Sequence, residues 1–171
     1  MRSVFLALAV AAVAVPVSAQ SVITPPPPAA KTVSLSGPRF GFTSLSDGIV
    51  DELHSKSIDL QPVISQFGWQ FEKQFYRKDT GVAAVNEVVV LLGGLDQGVA
   101  IPSLSWLVGV RTSEGTEFGV GPNVTPAGVA LAFAAGVTIR AGFMNVPMNV
   151  AVVPSKAGTR ISFLTGFNMR R

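Results

Sequence analysis

The stretch 129–142, VALAFAAGVTIRAG, alternates between two kinds of side chain, and this alternation limits the possible folds more than any other feature. Alternate positions from Val129 to Ile139 carry large apolar side chains. The positions between them carry alanine and glycine and end on Thr138 and Arg140. Because successive side chains of a strand point to opposite faces, the pattern predicts a strand whose two faces meet different surroundings. A helix here would be apolar all round, yet shorter than the roughly 20 residues that a membrane-spanning helix needs.

The same alternation recurs at 66–75, 103–111, 117–124, 144–152 and 161–169. Two less regular stretches, 38–45 and 82–95, complete a set of eight predicted strands, and the second is apolar on both faces, which leaves its orientation open. Turn-forming residues fill the short connections, as at 111–116 and 125–128. Short connections favour an antiparallel up-and-down order, and eight such strands can close into a barrel without free edges.

A closed barrel can direct its large apolar face inward, as in a soluble protein, or outward, as in a membrane. Only 13% of the residues are charged, whereas a soluble surface is usually roughly a quarter to a third charged. Small residues on the second face suit the narrow lumen of an eight-stranded barrel. Both tryptophans and most phenylalanines lie on the first face, which is typical of a lipid-facing band with aromatic girdles. The predicted lipid-facing aromatic residues are Phe67, Trp69, Phe71, Trp106, Phe118, Phe133, Phe163 and Phe167.

Charged residues on the small face include three of each sign. They form a predicted lumen charge network of Arg39, Glu72, Glu87, Arg111, Glu117 and Arg140. An unpaired charge inside a closed lumen would be costly, so we expect several of these residues to pair. Glu87 belongs to the set only if its strand has the right orientation. For Arg111 and Arg140, which lie near strand ends, the alternative is a position at the aqueous boundary.

The N-terminal residues 1–19 have the features of a secretory signal: Arg2, an apolar run over 4–15 and small residues ending at Ala19. A retained N-terminal anchor is the alternative. Residues 20–37 contain PPPP and predict an extended, disordered tether, which leaves 38–171 as the barrel domain.

Composition excludes several function classes. The chain has no cysteine, which excludes a disulfide framework, a thiol nucleophile and a thiolate metal site, and its one histidine excludes a His-rich metal site. The net charge of +3 is small and scattered, and it does not favour nucleic acid as a partner. We predict neither a cofactor nor an enzymatic activity.

The signal segment, strand count, alternation and aromatic placement resemble the small eight-stranded outer-membrane β-barrels of Gram-negative bacteria over about residues 38–169. The resemblance implies an all-β, antiparallel up-and-down transmembrane β-barrel in the cell outer membrane. Its partners would be outer-membrane lipid and the outer-membrane assembly machinery, with both chain termini periplasmic. Such proteins usually end on an aromatic residue, whereas four residues follow Phe167 here. The connections expected on the outside are 46–61, 94–98, 125–128 and 154–159.

The favoured function is a structural barrel or a narrow conduit, with a thin path along the small residues Ala130, Ala132, Ala134 and Gly136. The alternative is a soluble periplasmic barrel, similar to lipocalins, in which the aromatic residues line a cavity for an apolar ligand.

A third hypothesis concerns the long connection 46–61, where Ser46 or Asp47 would begin a short helix with Ile49, Val50 and Leu53 on one face. It also holds His54, flanked by Asp51, Glu52, Ser55 and Ser57. These are residue types that an acyl hydrolase uses, although no nucleophile motif accompanies them.

Overall fold

A computed structural model describes residues 34–78 and 81–169, and in it the chain forms a closed, antiparallel up-and-down β-barrel of eight strands. Each strand pairs with its sequence neighbours, and the eighth strand pairs with the first to close the wall. A ninth strand of two residues continues the eighth in the same register after Phe167. The strands are β1 (Gly37–Leu45), β2 (Val63–Arg77), β3 (Ala83–Gly93), β4 (Ile101–Arg111), β5 (Thr116–Thr125), β6 (Gly128–Ala141), β7 (Met144–Ser155), β8 (Gly158–Gly166) and β9 (Asn168–Met169).

All eight predicted strands are present, with ends that differ from the predicted ones by a few residues. The stretch predicted at 66–75 extends to 63–77, and the last predicted strand begins at Gly158 instead of Ile161. The link between β6 and β7 is two residues long, and Gly142 in it has a φ of 58°, a conformation that favours glycine. The predicted signal segment and residues 20–33 of the predicted tether lie outside the described residues.

Every described aromatic side chain is exposed on the outside of the barrel, whereas three arginines and three glutamates of the wall strands are buried inside it. Trp69 and Trp106 are 46% and 54% exposed, whereas Arg39 is 1% exposed. The same alternation orients β3, with Glu87 inside and Asn86 outside, where Asn86 Oδ1 accepts a 2.7 Å hydrogen bond from the indole Nε1 of Trp106. The barrel therefore inverts the usual distribution, in which apolar side chains fill the interior.

Up-and-down order gathers the connections at two ends. One end, called the capped end, holds the β1–β2 connection, a 3₁₀ turn at Leu95–Gln97 and the links 126–127 and 156–157. The other, called the terminal end, holds residues 34–36, the remaining turns and β9. The four connections predicted to share one side of the barrel do lie together at the capped end.

The β1–β2 connection closes the capped end. Its helix α1 (Asp47–His54) buries Ile49 and Leu53 against Leu45 and other apolar residues of the barrel rim. Ser46 precedes the helix as predicted, but its hydroxyl accepts a hydrogen bond from the backbone N–H of Thr159 in β8 instead of capping the helix. No helix in the described part of the chain is long and apolar enough to cross a bilayer.

Candidate functional site in the barrel lumen

The centre of the lumen is an ion network around Arg111, at the end of β4. Its Nη1 donates to Glu72 Oε1 at 2.7 Å, and its Nη2 donates to the other oxygen of the same carboxylate. Nε and Nη2 also donate to Glu117 Oε2, at 2.9 and 2.7 Å. Asn149 completes the site by donating to Glu117 Oε1 at 3.1 Å. Such charge-assisted, bidentate contacts hold the wall strands in a fixed geometry.

Glu87 is the third carboxylate of the network. It lies directly opposite Glu72 in the β2–β3 register, and its Oε1 is 3.8 Å from Arg111 Nη2. Carboxylate oxygens of Glu72, Glu87 and Glu117 come within 4.8 Å of one another, a spacing that could hold a metal ion. The guanidinium group of Arg111 supplies one positive charge to these three carboxylates.

Arg39 is fully buried, yet it contacts neutral groups. Its Nε donates to Gln70 Oε1 at 3.0 Å, and its other nitrogens donate to the backbone oxygens of Pro38 and Leu35. Leu35 is itself buried. Arg39 therefore fastens the segment that leads into β1 across the terminal end of the lumen.

Arg140 lies outside the network, which corrects its predicted place in the lumen. Its side chain is exposed, and Nη2 donates to the backbone oxygen of Ser113 at 3.1 Å. The reason is its height on the barrel, because it is the last residue but one of β6 and extends past the rim. This is the alternative position at the boundary that the sequence allowed.

Arg160 is a lumen residue that the sequence analysis missed. It is 6% exposed and pairs with Leu45 on β1 near the capped end. Its Nη1 donates to the hydroxyl of Thr125 on β5, which lies across the lumen. A predicted strand that began at Gly158 would have placed Arg160 in the lumen, because Arg160 lies on the same face as Ser162 and Leu164. The described lumen thus holds three buried arginines and three buried glutamates.

A cavity of about 80 Å³, called the chamber, lies between the ion network and α1. Polar residues of several strands line it together with apolar ones. Ala132 and Ala134 of the small-residue row line the chamber, and Ala132 packs against Leu107 and Val153 in the same wall. The polar lining residues include Thr43, Gln66, Gln70, Ser103, Ser105, Asn123, Asn149 and Ser162.

The eight aromatic residues predicted to point outward all lie on the outer face, between 42% and 58% exposed. None of the described ones lines the chamber. Trp69 and Phe71 lie side by side, with ring centroids 6.5 Å apart. A cavity lined by these rings, which the soluble alternative requires, is therefore not what the interior contains.

His54 ends α1 and is half exposed. Its Nε2 lies 3.2 Å from Asp59 Oδ1 and accepts a long hydrogen bond from the backbone N–H of Leu60. The hydroxyl of Ser55 donates to the backbone oxygen of Glu52, and Lys56 pairs with the Glu52 carboxylate at 2.7 Å. Within the described residues, no serine hydroxyl is bonded to His54, so the geometry offers no positioned nucleophile.

Searches against protein-family models, curated proteins and solved structures returned no match for this chain.

Proposed function

We propose that this chain is an integral outer-membrane β-barrel protein with a closed lumen, which acts as a structural barrel and not as an open pore. The observation that carries the proposal is the inverted wall, with aromatic and aliphatic side chains outside and the ion network inside. Soluble monomers rarely expose a contiguous apolar patch larger than a few hundred Å². Lipid is the solvent in which such an outer face is stable.

Backbone hydrogen bonding supports the same proposal. Every strand of the closed wall has two partners, so the barrel has no free edge. A sheet that spans the hydrocarbon core of a bilayer must have no free edge, because unpaired backbone groups there find no water to hydrogen-bond. The outward amide of Asn86 is paired with Trp106, and Lys73 lies toward the terminal end, where its long stem reaches the interface.

Two barriers argue for a closed lumen. The ion network around Arg111 crosses it between β2 and β5, and α1 covers the capped end. We expect planar bilayers containing the protein to show no stepwise current above the lipid background. Discrete openings in the wild-type protein would contradict the closed lumen but not the membrane location.

Tryptophan quenching in vesicles tests the lipid-facing wall. Trp69→Phe and Trp106→Phe each leave a single tryptophan, and these two side chains lie on the outer face. We expect brominated acyl chains to quench both variants strongly, and aqueous iodide to quench them weakly. Strong quenching by iodide without quenching by brominated lipid would refute the proposal.

Fractionation of the cell envelope tests the location. We expect the protein in the outer-membrane fraction, resistant to an alkaline carbonate wash and released by detergent. Its appearance in the soluble periplasm would contradict an integral membrane protein.

A soluble ligand-binding barrel is the second candidate, because the chamber is partly apolar, with Val89, Leu91 and Leu164 in its wall. Its volume of about 80 Å³ is small beside the roughly 300–1,000 Å³ of pockets for drug-sized ligands. Saturable binding of a soluble apolar ligand, together with periplasmic fractionation, would favour this candidate.

A further inference from the structure

Arg160 is a buried cation without an anionic partner. In the described part of the chain no carboxylate lies within ion-pair distance of it, and its neighbour Thr125 is neutral. Its Nε has no hydrogen-bond partner at all. A buried charge without a partner of opposite sign destabilises the folded protein. The other lumen arginines do not share this condition, since Arg111 has three carboxylates and Arg39 has three acceptors.

The surroundings of Arg160 offer further donors. Thr43 and Ser162, whose hydroxyls are 2.7 Å apart, line the same chamber on the neighbouring positions of β1 and β8. Gln70 and Glu87 line a different part of the chamber, because the register places Gln70 opposite Gly37 of β1 and Arg160 opposite Leu45. The Arg160 guanidinium and the Thr43–Ser162 hydroxyl pair thus line the same part of the chamber.

We propose that the chamber binds a small monovalent anion of halide size against the Arg160 guanidinium. The anion supplies the missing negative charge, and the Thr43–Ser162 hydroxyl pair contributes a further hydrogen-bond donor. A cavity of about 80 Å³ has room for such an ion with a few waters, whereas phosphate esters or lipid headgroups exceed it. Glu72 and Glu117 are bonded to Arg111, and the Glu87 carboxylate, which lines another part of the chamber, lies 3.8 Å from Arg111 Nη2, so none of the three is paired with Arg160.

The site lies inside the barrel, so the proposal does not depend on whether lipid or water covers the outer face. Because α1 covers the capped end of the lumen, loading during folding gives the ion the most direct access to the chamber. The experiment therefore loads the site by refolding the full chain in detergent with sodium bromide. Sodium gluconate at equal ionic strength is the reference, because gluconate is too large for the chamber.

Thermal unfolding is the first measurement. We expect bromide to raise the Tm of the wild-type protein saturably over gluconate, by about 5–10 °C at a bromide concentration of about 100 times its Kd. Arg160→Gln should abolish the rise. Arg140→Gln is the matched control, because Arg140 is exposed at the other end of the barrel, and it should keep the rise in full. No saturable rise in the wild type, or an equal rise in Arg160→Gln, would overturn the proposal.

Anomalous scattering from wild-type crystals grown in bromide is the second measurement, and it does not require any variant to fold. We expect a bromide peak in the chamber beside the Arg160 guanidinium. Bromide peaks confined to surface arginines and lysines would overturn the proposal.

Discussion

Replacing Arg111 with methionine should destabilise the barrel more than any other single change to its charged residues. The wild-type side chain donates four hydrogen bonds to two buried carboxylates, and a third carboxylate, Glu87, lies 3.8 Å away. Methionine fills much of the volume but leaves three carboxylates facing one another. Arg39 cannot replace the lost cation, since its donors already bond to Gln70 and the backbone.

The expected magnitude follows from removing one partner of a buried ion pair, which costs about 3–5 kcal/mol. Hydrogen bonds to charged groups contribute about 1.5–3 kcal/mol each, and they are not additive within one network. We therefore expect the free energy of unfolding to fall by about 3–5 kcal/mol, toward the top of that range.

Equilibrium urea unfolding in detergent micelles, followed by far-ultraviolet circular dichroism, measures this loss. Arg140→Met is the matched control, because Arg140 is exposed and donates a single hydrogen bond to Ser113; its loss should be about 0.5 kcal/mol or less. Adding Glu72→Gln and Glu117→Gln to Arg111→Met should recover part of the stability, since of the three buried carboxylates only Glu87 then remains. A loss below about 1 kcal/mol for Arg111→Met, or no recovery in the triple variant, would refute the reasoning.

Three further changes test other parts of the structure. Gly121→Ala should lower the free energy of unfolding in urea by about 1–3 kcal/mol, because the new Cβ would collide with a backbone oxygen of β4. Gly119→Ala, on the same face of β5, is the control. Its new Cβ would have its nearest neighbour at 3.6 Å, so the free energy of unfolding should change little. Leu53→Asp should make the β1–β2 connection sensitive to protease, because Leu53 anchors α1 to the barrel rim. It should not create bilayer conductance, because the ion network still closes the lumen. Asp51→Asn, at an exposed position of α1, is the control, and equal cleavage of the two variants would contradict the covering of the capped end by α1. The hydrogen bond from the Ser65 hydroxyl in β2 is the chief cause that holds the pKa of Asp96 below its usual value. The ionised carboxylate therefore stabilises the folded state at pH values above its unfolded-state pKa. This stabilisation is lost as the pH falls through the lowered pKa of the folded state. The Tm difference between wild type and Asp96→Asn should therefore be largest near neutral pH and shrink on acidification; a constant difference would contradict this.

The placement of charged residues shows how far sequence reasoning reaches. Glu72, Arg111 and Glu117 were assigned to one face by simple alternation, and the structure brings them into direct contact. The prediction for Arg140 is wrong and Arg160 is absent from the predicted network, and both residues lie near strand ends, where alternation gives the face but not the height on the barrel. A shift of a residue or two in a strand's end decides whether an arginine spans the lumen or reaches solvent.

Strand β3 illustrates a second limit. Its two faces are both apolar, so no pattern within the strand distinguishes inside from outside. The pairing of β3 with β2 decides which face of β3 points inward, because Glu87 lies directly opposite the inward-facing Glu72 in the β2–β3 register. The inner Val89 and Leu91 then meet the apolar part of the lumen, which only the neighbouring strands create.

The sequence by itself determined the strands, their order and the chemical character of each face. These depend on the two-residue period and on short connections, which are local properties of the chain. Tertiary structure alone decided that α1 covers one end, that Arg111 gathers three glutamates and that Arg160 lies buried without one. Those contacts join residues far apart in the chain, and they depend on the register in which the strands close around the lumen.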